Sequence, residues 1–144
     1  MDKKLHLLKI LPKDINLRWK ILKSNLLLNM DILLESEGYK EVAIALRESI
    51  NANINNWSAM LYDGKDYYFS NKYKMQIVDR VGGGDSFGVG LVATSLEGYD
   101  AKSIIEFSVV ASCLKYSVEG DFNMVSMDEV LKLAGGDGSG RVQR

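Results

Sequence analysis

The chain has 144 residues, of which 47% are hydrophobic and 26% charged, with a formal net charge of -1. That is an ordinary balance for one globular domain able to bury a core, and it excludes a global field drawing the chain toward nucleic acid or a membrane surface. Cys113 and His6 are the only residues of their kinds, which excludes a disulfide framework, a cysteine-rich metal site and any Ser-His-Asp triad that does not use His6.

Residues 1–30 hold seven Lys or Arg against two Asp, whereas residues 31–144 hold eleven against seventeen Asp or Glu. This asymmetry marks the first residues, 1–29, as a distinct basic segment. Within it, 3–11 and 14–28 read as two amphipathic helical pieces split by Pro12. Lys9, Pro12, Lys13 and Asp14 interrupt any signal-peptide core, and no apolar run reaches the roughly 18 residues of a membrane span. The expectation is an intracellular, cytoplasmic chain with neither membrane nor nucleic acid as a partner.

Residues 30–37 predict another short helix, stopped by Gly38. The run Glu41 to Leu46 predicts a buried strand, and the asparagine-rich stretch 51–56 a loop. Trp57 to Tyr62, then Asp63-Gly64, then Lys65 to Phe69 is a hairpin signal, with the Asp-Gly pair suited to a type I′ turn. Tyr73 to Val78 alternates as a half-buried strand should. Phe87 to Leu96 reads as a buried helix. Asp100 can cap a second, Ala101 to Ser117, and Ser126 with Glu129 forms a capping box for a third, ending about Leu133. Residues 135–144 are too glycine-rich to sustain a helix. Strands and helices alternate around an inserted hairpin, so the expected class is an α/β sandwich.

Between the last strand and the first of these helices lies Asp79-Arg80-Val81-Gly82-Gly83-Gly84-Asp85-Ser86-Phe87. Consecutive glycines let backbone approach a ligand closely, and the helix beyond offers unpaired N–H groups and a positive dipole end to an anion such as phosphate. It is not a Walker loop, because Val89 follows Gly88 where lysine belongs; Gly88-x-Gly90-x-x-Ala93 mimics a dinucleotide fingerprint but falls inside the helix. A carboxylate at Asp85 would repel a merely bound anion. It makes sense beside an acceptor hydroxyl whose proton it takes during phosphoryl transfer; the other reading of Asp85 is a helix cap.

The segment Asp79 to Gly90 resembles the C-terminal signature of the ribokinase-like (phosphofructokinase B) carbohydrate kinases. Trp57-Ser58 through Asp63-Gly64, Ala111-Ser112-Cys113-Leu114-Lys115, Gly120-Asp121-Phe122-Asn123 and the ending Gly-Gly-Asp-Gly-Ser-Gly-Arg-Val-Gln-Arg extend it. Together these runs are similar to the 2-dehydro-3-deoxygluconate kinases. The resemblance covers residues 30–144, with 30–134 as the nucleotide-side part of the kinase domain, the C-terminal part of an α/β/α sandwich carrying a β-hairpin. It implies ATP-dependent phosphorylation of a small sugar acid. The amides of Gly82, Gly83 and Gly84 would form an anion hole, Asp85 would be the base, and the helix bearing Ala111 and Ser112 would wall the adenine. It also implies Mg2+ with the ATP, and a monovalent cation such as K+ near Asp79 and the backbone of Val81. Such kinases are about twice this length, so the family's sugar-binding half is not expected here. Unpaired strand edges would then favour a homo-oligomer or association with another chain.

Overall fold

The computed structural model describes residues 41–135. The expected helical pieces within 1–37 and the glycine-rich stretch 136–144 lie outside the described residues. From Ala43 onward the chain forms one compact unit.

Among the described residues, four strands form one sheet organised around its second member: β1 (Val42–Ser49), β2 (Ile54–Tyr62), β3 (Tyr67–Phe69) and β4 (Tyr73–Gln76). β1 pairs β2 through a connection too short for a parallel crossover. β3 and β4 pair successive parts of β2 antiparallel, with Met60 opposite Phe69 and Trp57 opposite Tyr73. The asparagine stretch is therefore divided. Asn51 makes the turn, its Oδ1 accepting from the N–H groups of Asn53 (2.9 Å) and Ile54 (2.8 Å). Asn55 and Asn56 belong to β2, where pairing with β4 overrides their poor strand propensity.

The hairpin forms at the expected place with a different turn. Asp63 Oδ1 accepts from Lys65 N (2.9 Å) and Asp66 N (2.7 Å), and Gly64 alone takes a positive φ, +90°. A type I′ turn needs positive φ at both central residues. The aspartate side chain instead satisfies the loop amides, as Asx turns do.

Three helices follow: α1 (Gly83–Leu96), α2 (Ala101–Tyr116) and α3 (Met127–Ala134). Asp100 caps α2 through Ser103 N (3.0 Å), and the Ser126–Glu129 capping box opens α3. α2 is buried without a break from Ile104 to Lys115, because it lies against the sheet on one side and against α1 and α3 on others. The core joins Trp57, Ala59, Leu61, Tyr73 and Met75 of the sheet to Ile105, Val109 and Cys113 of α2. Glu106 is buried there without isolation: it accepts from Asn71 N (2.9 Å) and from the Tyr73 hydroxyl, and pairs with Lys102. The expected α/β class is what forms, as an antiparallel sheet with helices packed on it.

α1 departs from its expected form twice. It begins at Gly83, so the glycines are its first turn rather than a loop before it. It is also buried on one face only, through Gly83, Ser86, Gly90 and Thr94, while Val89, Val92 and Leu96 are exposed. Small residues on the inner face let α1 lie close against α2. A Cβ on Gly90 would stand 3.0 Å from Ser108 Cα.

Candidate functional site

The site is assembled where the end of β4 meets the C-terminal end of α2. Val78 N and Asp79 N both donate to Tyr116 O, fixing the strand exit to the helix end. Asp79 then bridges two loops 41 residues apart in sequence: Oδ1 accepts from Val81 N (3.0 Å) and Oδ2 from Gly120 N (2.9 Å). The Val81 N–H foremost, and then that of Gly120, hold its carboxyl below the ordinary carboxylate range. A depressed carboxylate contributes stability that is present above its unfolded pKa and lost as pH falls through the folded one. The melting temperature of wild type should therefore exceed that of Asp79→Asn at pH 7, and the gap should close as pH drops below about 4. A gap independent of pH would contradict this role.

The three glycines differ in why they are glycine. Gly82 is the N-cap of α1 with φ +80°, a conformation that side chains disfavour, and a Cβ there would lie 3.1 Å from Lys115 Cε. Gly83 is buried, and a Cβ on it would fall 2.2 Å from Tyr116 Cζ, in a ring already packed edge-on against Trp57. Gly84 is exposed, and a Cβ there would meet nothing within 4 Å. The fold thus demands glycine at 82 and 83 and leaves 84 without a packing reason.

The first backbone bond of α1 is Ser86 N to Gly82 O (2.9 Å). The amides of Gly83, Gly84 and Asp85 precede that bond, and no side chain caps them, so they are the unpaired donors every helix start leaves. Asp85 is exposed in this first turn and is not the cap, because Gly82 holds that place. A cavity of about 360 Å³ opens directly beside it. Gly82, Asp85, Asp121 and Asn123 contribute polar groups to its wall, and Phe107, Ala111, Val125 and Val130 contribute apolar surface. An anion at the helix start and a flat apolar body in the cavity can be held together by this arrangement.

Gly82, Gly83, Gly84 and Asp85 are thus brought together, and Ala111 reaches the same cavity. Ser112 sits behind the site. It is fully buried, and its Oγ donates to Gly83 O (2.8 Å), steadying the glycine turn from below. Asp121, Asn123 and Ser86 entered the sequence reading only inside longer runs, Gly120 to Asn123 and Asp79 to Gly90, without a role of their own. Asn123 Nδ2 donates to Ser86 Oγ (3.2 Å), tying this loop to α1.

Among the described residues no cluster of three or more His, Cys, Asp or Glu could hold a metal ion. Mg2+ arriving with a nucleotide needs only one or two carboxylates beside the phosphates, and Asp121 in the cavity wall suits that. Asp79 and the backbone of Val81 are the pair expected beside a monovalent cation. Both Asp79 oxygens face N–H groups, and the Gly120 carbonyl is taken by the Lys115 ammonium at 2.6 Å.

Among solved structures, the chain is similar to a 2-dehydro-3-deoxygluconokinase from Thermotoga maritima, with 45% identity and a TM-score of 0.71 over 74% of this chain and 32% of that one. A PfkB family carbohydrate kinase from Listeria grayi matches at 24% identity and TM-score 0.69, over 73% of this chain and 33% of that one. A putative 2-keto-3-deoxygluconate kinase from Enterococcus faecalis matches at 18% and 0.65, over 85% and 33%; these last two likenesses speak for the fold alone. The structural neighbours are thus PfkB-family carbohydrate kinases, and the chain spans about a third of their length. No protein-family profile matches the chain, nor does any curated protein. No helix among the described residues is long and apolar enough to cross a membrane.

Proposed function

We propose that residues 41–135 form the nucleotide-binding and phosphoryl-transfer part of a carbohydrate kinase, using ATP to phosphorylate a hydroxyl of a sugar acid of the 2-dehydro-3-deoxygluconate kind. The observation that carries this reading is the uncapped glycine turn, with Asp85 in it, opening onto the cavity beside α2. The amides of Gly82, Gly83 and Gly84 face the phosphoryl group and stabilise the charge that spreads over its oxygens in the transition state. Asp85 accepts the proton of the attacking hydroxyl. Ala111 and Phe107 pack against the base, while Ser112 positions Gly83 from behind. Mg2+ would be held mainly by the phosphates and water, with Asp121 beside them, and would supply neutralisation of the charge on the transferring group.

The chain spans about a third of the length of the kinases it matches, and association with a second copy or another chain is part of the proposal. One further reading is a module that binds nucleotide without turning it over, since the described cavity offers a phosphate and base site by itself. An ADP-release assay with ATP and 2-dehydro-3-deoxygluconate, run beside nucleotide calorimetry, separates the two. Turnover supports the kinase, binding without turnover supports the module, and neither signal contradicts both.

Gly84 gives a sharper test of the phosphate site. Its Cβ would meet no protein atom within 4 Å, and alanine is favoured over glycine in a helix by about 1 kcal/mol. Gly84→Ala is therefore expected to melt no lower than wild type yet to bind ADP about tenfold more weakly, a loss of about 1.4 kcal/mol, because the methyl obstructs close approach of the phosphate.

A further inference from the structure

Among the described residues near the site, Lys115 is a buried charged side chain that the proposed chemistry does not use. It lies on the last turn of α2 with none of its surface exposed. A lysine at a helix end ordinarily extends its charge into water, where it also favours the helix dipole. This one turns inward. Its Nζ donates to Gly120 O at 2.6 Å, and its stem passes within 3.1 Å of the place a Cβ on Gly82 would occupy. No carboxylate among the described residues lies within ion-pair distance of it; the pairs formed there are Lys72–Glu48 and Lys102–Glu106. An ammonium buried on one carbonyl, with the Asp79 carboxylate acting on it from beyond ion-pair distance, is costly to keep and calls for a role.

What the charge is used for follows from its neighbours. Gly120 is gripped at both ends, its N–H by Asp79 and its C=O by Lys115. Asp79 also receives the N–H of Val81, next to Gly82. The carbonyl of Asp121 stands on the same side, 3.5 Å from a Cβ position on Gly82. An anion, a cation and two backbone loops thus close a ring beneath the glycine turn. A backbone carbonyl on a positive charge, with the Asp79 carboxylate acting on that same charge, is the kind of pairing by which proteins hold a monovalent ion. Here the positive charge is covalently attached.

We infer that the Lys115 ammonium is the resident cation of this ring, holding the loop after α2 against the glycine turn so that no free monovalent ion is needed there. The inference stands on the geometry of the described residues and does not depend on the kinase reading. Lys115 acts on the site through Gly120 and Gly82, as a positioning residue.

The test is thermal unfolding of the whole chain at matched ionic strength in KCl, NaCl, NH4Cl and choline chloride. Wild type should melt at the same temperature in all four. Lys115→Met, which keeps the length and loses the charge, should melt lower in choline and regain stability saturably with K+ or ammonium, a rescue that mere loss of packing would not show. Lys115→Arg should remain indifferent to the cation. A saturable rise of the wild-type melting temperature with K+ would overturn the inference, as would a Lys115→Met protein that is destabilised equally in every salt. If Lys115→Met does not fold, the wild-type and Lys115→Arg series still decide: indifference in both upholds it, and a saturable K+ response in either refutes it.

Discussion

Asp85→Asn is expected to lower the rate of phosphoryl transfer by about 10²- to 10⁴-fold, the usual contribution of a positioned general base, while leaving nucleotide binding intact. Asparagine has the same shape, so the first turn of α1 and the cavity wall keep their geometry; it cannot take the acceptor's proton. Removing a negative charge beside a polyphosphate should also tighten binding, by up to about 1 kcal/mol in water-like surroundings. Slower transfer with equal or tighter binding is the signature of a base. If Asp85 served α1 only through the helix dipole, the substitution would cost about 0.3–1 kcal/mol of stability and would leave transfer unchanged. Gly82, not Asp85, occupies the N-cap, and no side-chain cap bond is made there, so the helical role is the weaker explanation. A coupled ADP-release assay beside ADP calorimetry reads both quantities on the same preparation.

The largest effect on stability is expected at the crossing of α1 and α2. Gly90 faces Ser108, and a Cβ there would lie 3.0 Å from Ser108 Cα and 3.2 Å from its Oγ. Backbone cannot swing aside as a side chain can. Gly90→Leu must therefore push the helices apart, and overpacking of this kind costs about 3 kcal/mol, a large fraction of the roughly 5–15 kcal/mol that holds a domain together. For Gly90→Ala the helix-propensity gain of about 1 kcal/mol opposes a smaller clash, so its net effect should be slight. Gly88 is the control. A Cβ there meets nothing within 4 Å, and Gly88→Ala should raise stability by about 1 kcal/mol. Urea unfolding of the three variants tests the ordering. A Gly90→Leu midpoint equal to that of Gly88→Ala would contradict the packing described.

These glycines also show where sequence was legible and where it was not. Asp100 and the Ser126–Glu129 box announced α2 and α3 because capping is local chemistry, complete within four residues. The hairpin was readable from Asp63-Gly64, but its turn type was not, since Asp63 satisfied the loop amides with its side chain and kept negative φ. The start of α1 was hidden because glycine carries almost no helical preference, so a run of three reads as loop even where tertiary contacts make it a helical turn. The exposed face of α1 was hidden for a related reason: Val89, Val92 and Leu96 look like core residues, yet the buried face is the one built from small side chains. Of the site, Gly82 to Asp85 stood out through a local pattern. The clamp from Asp79 to Gly120 spans 41 residues, and nothing within a short window signals such a contact. Lys115 was illegible for the opposite reason, because a lysine at a helix end ordinarily reads as solvent-facing.

The reading turns on whether the glycine turn and its cavity receive a nucleotide. Titration of Mg·ADP into the pure wild-type chain by calorimetry tests this most directly. A single saturable site, weakened about tenfold by Gly84→Ala with a melting temperature no lower than that of wild type, is the expected result. No saturable heat with wild type, or equal affinity in the two proteins, would contradict it.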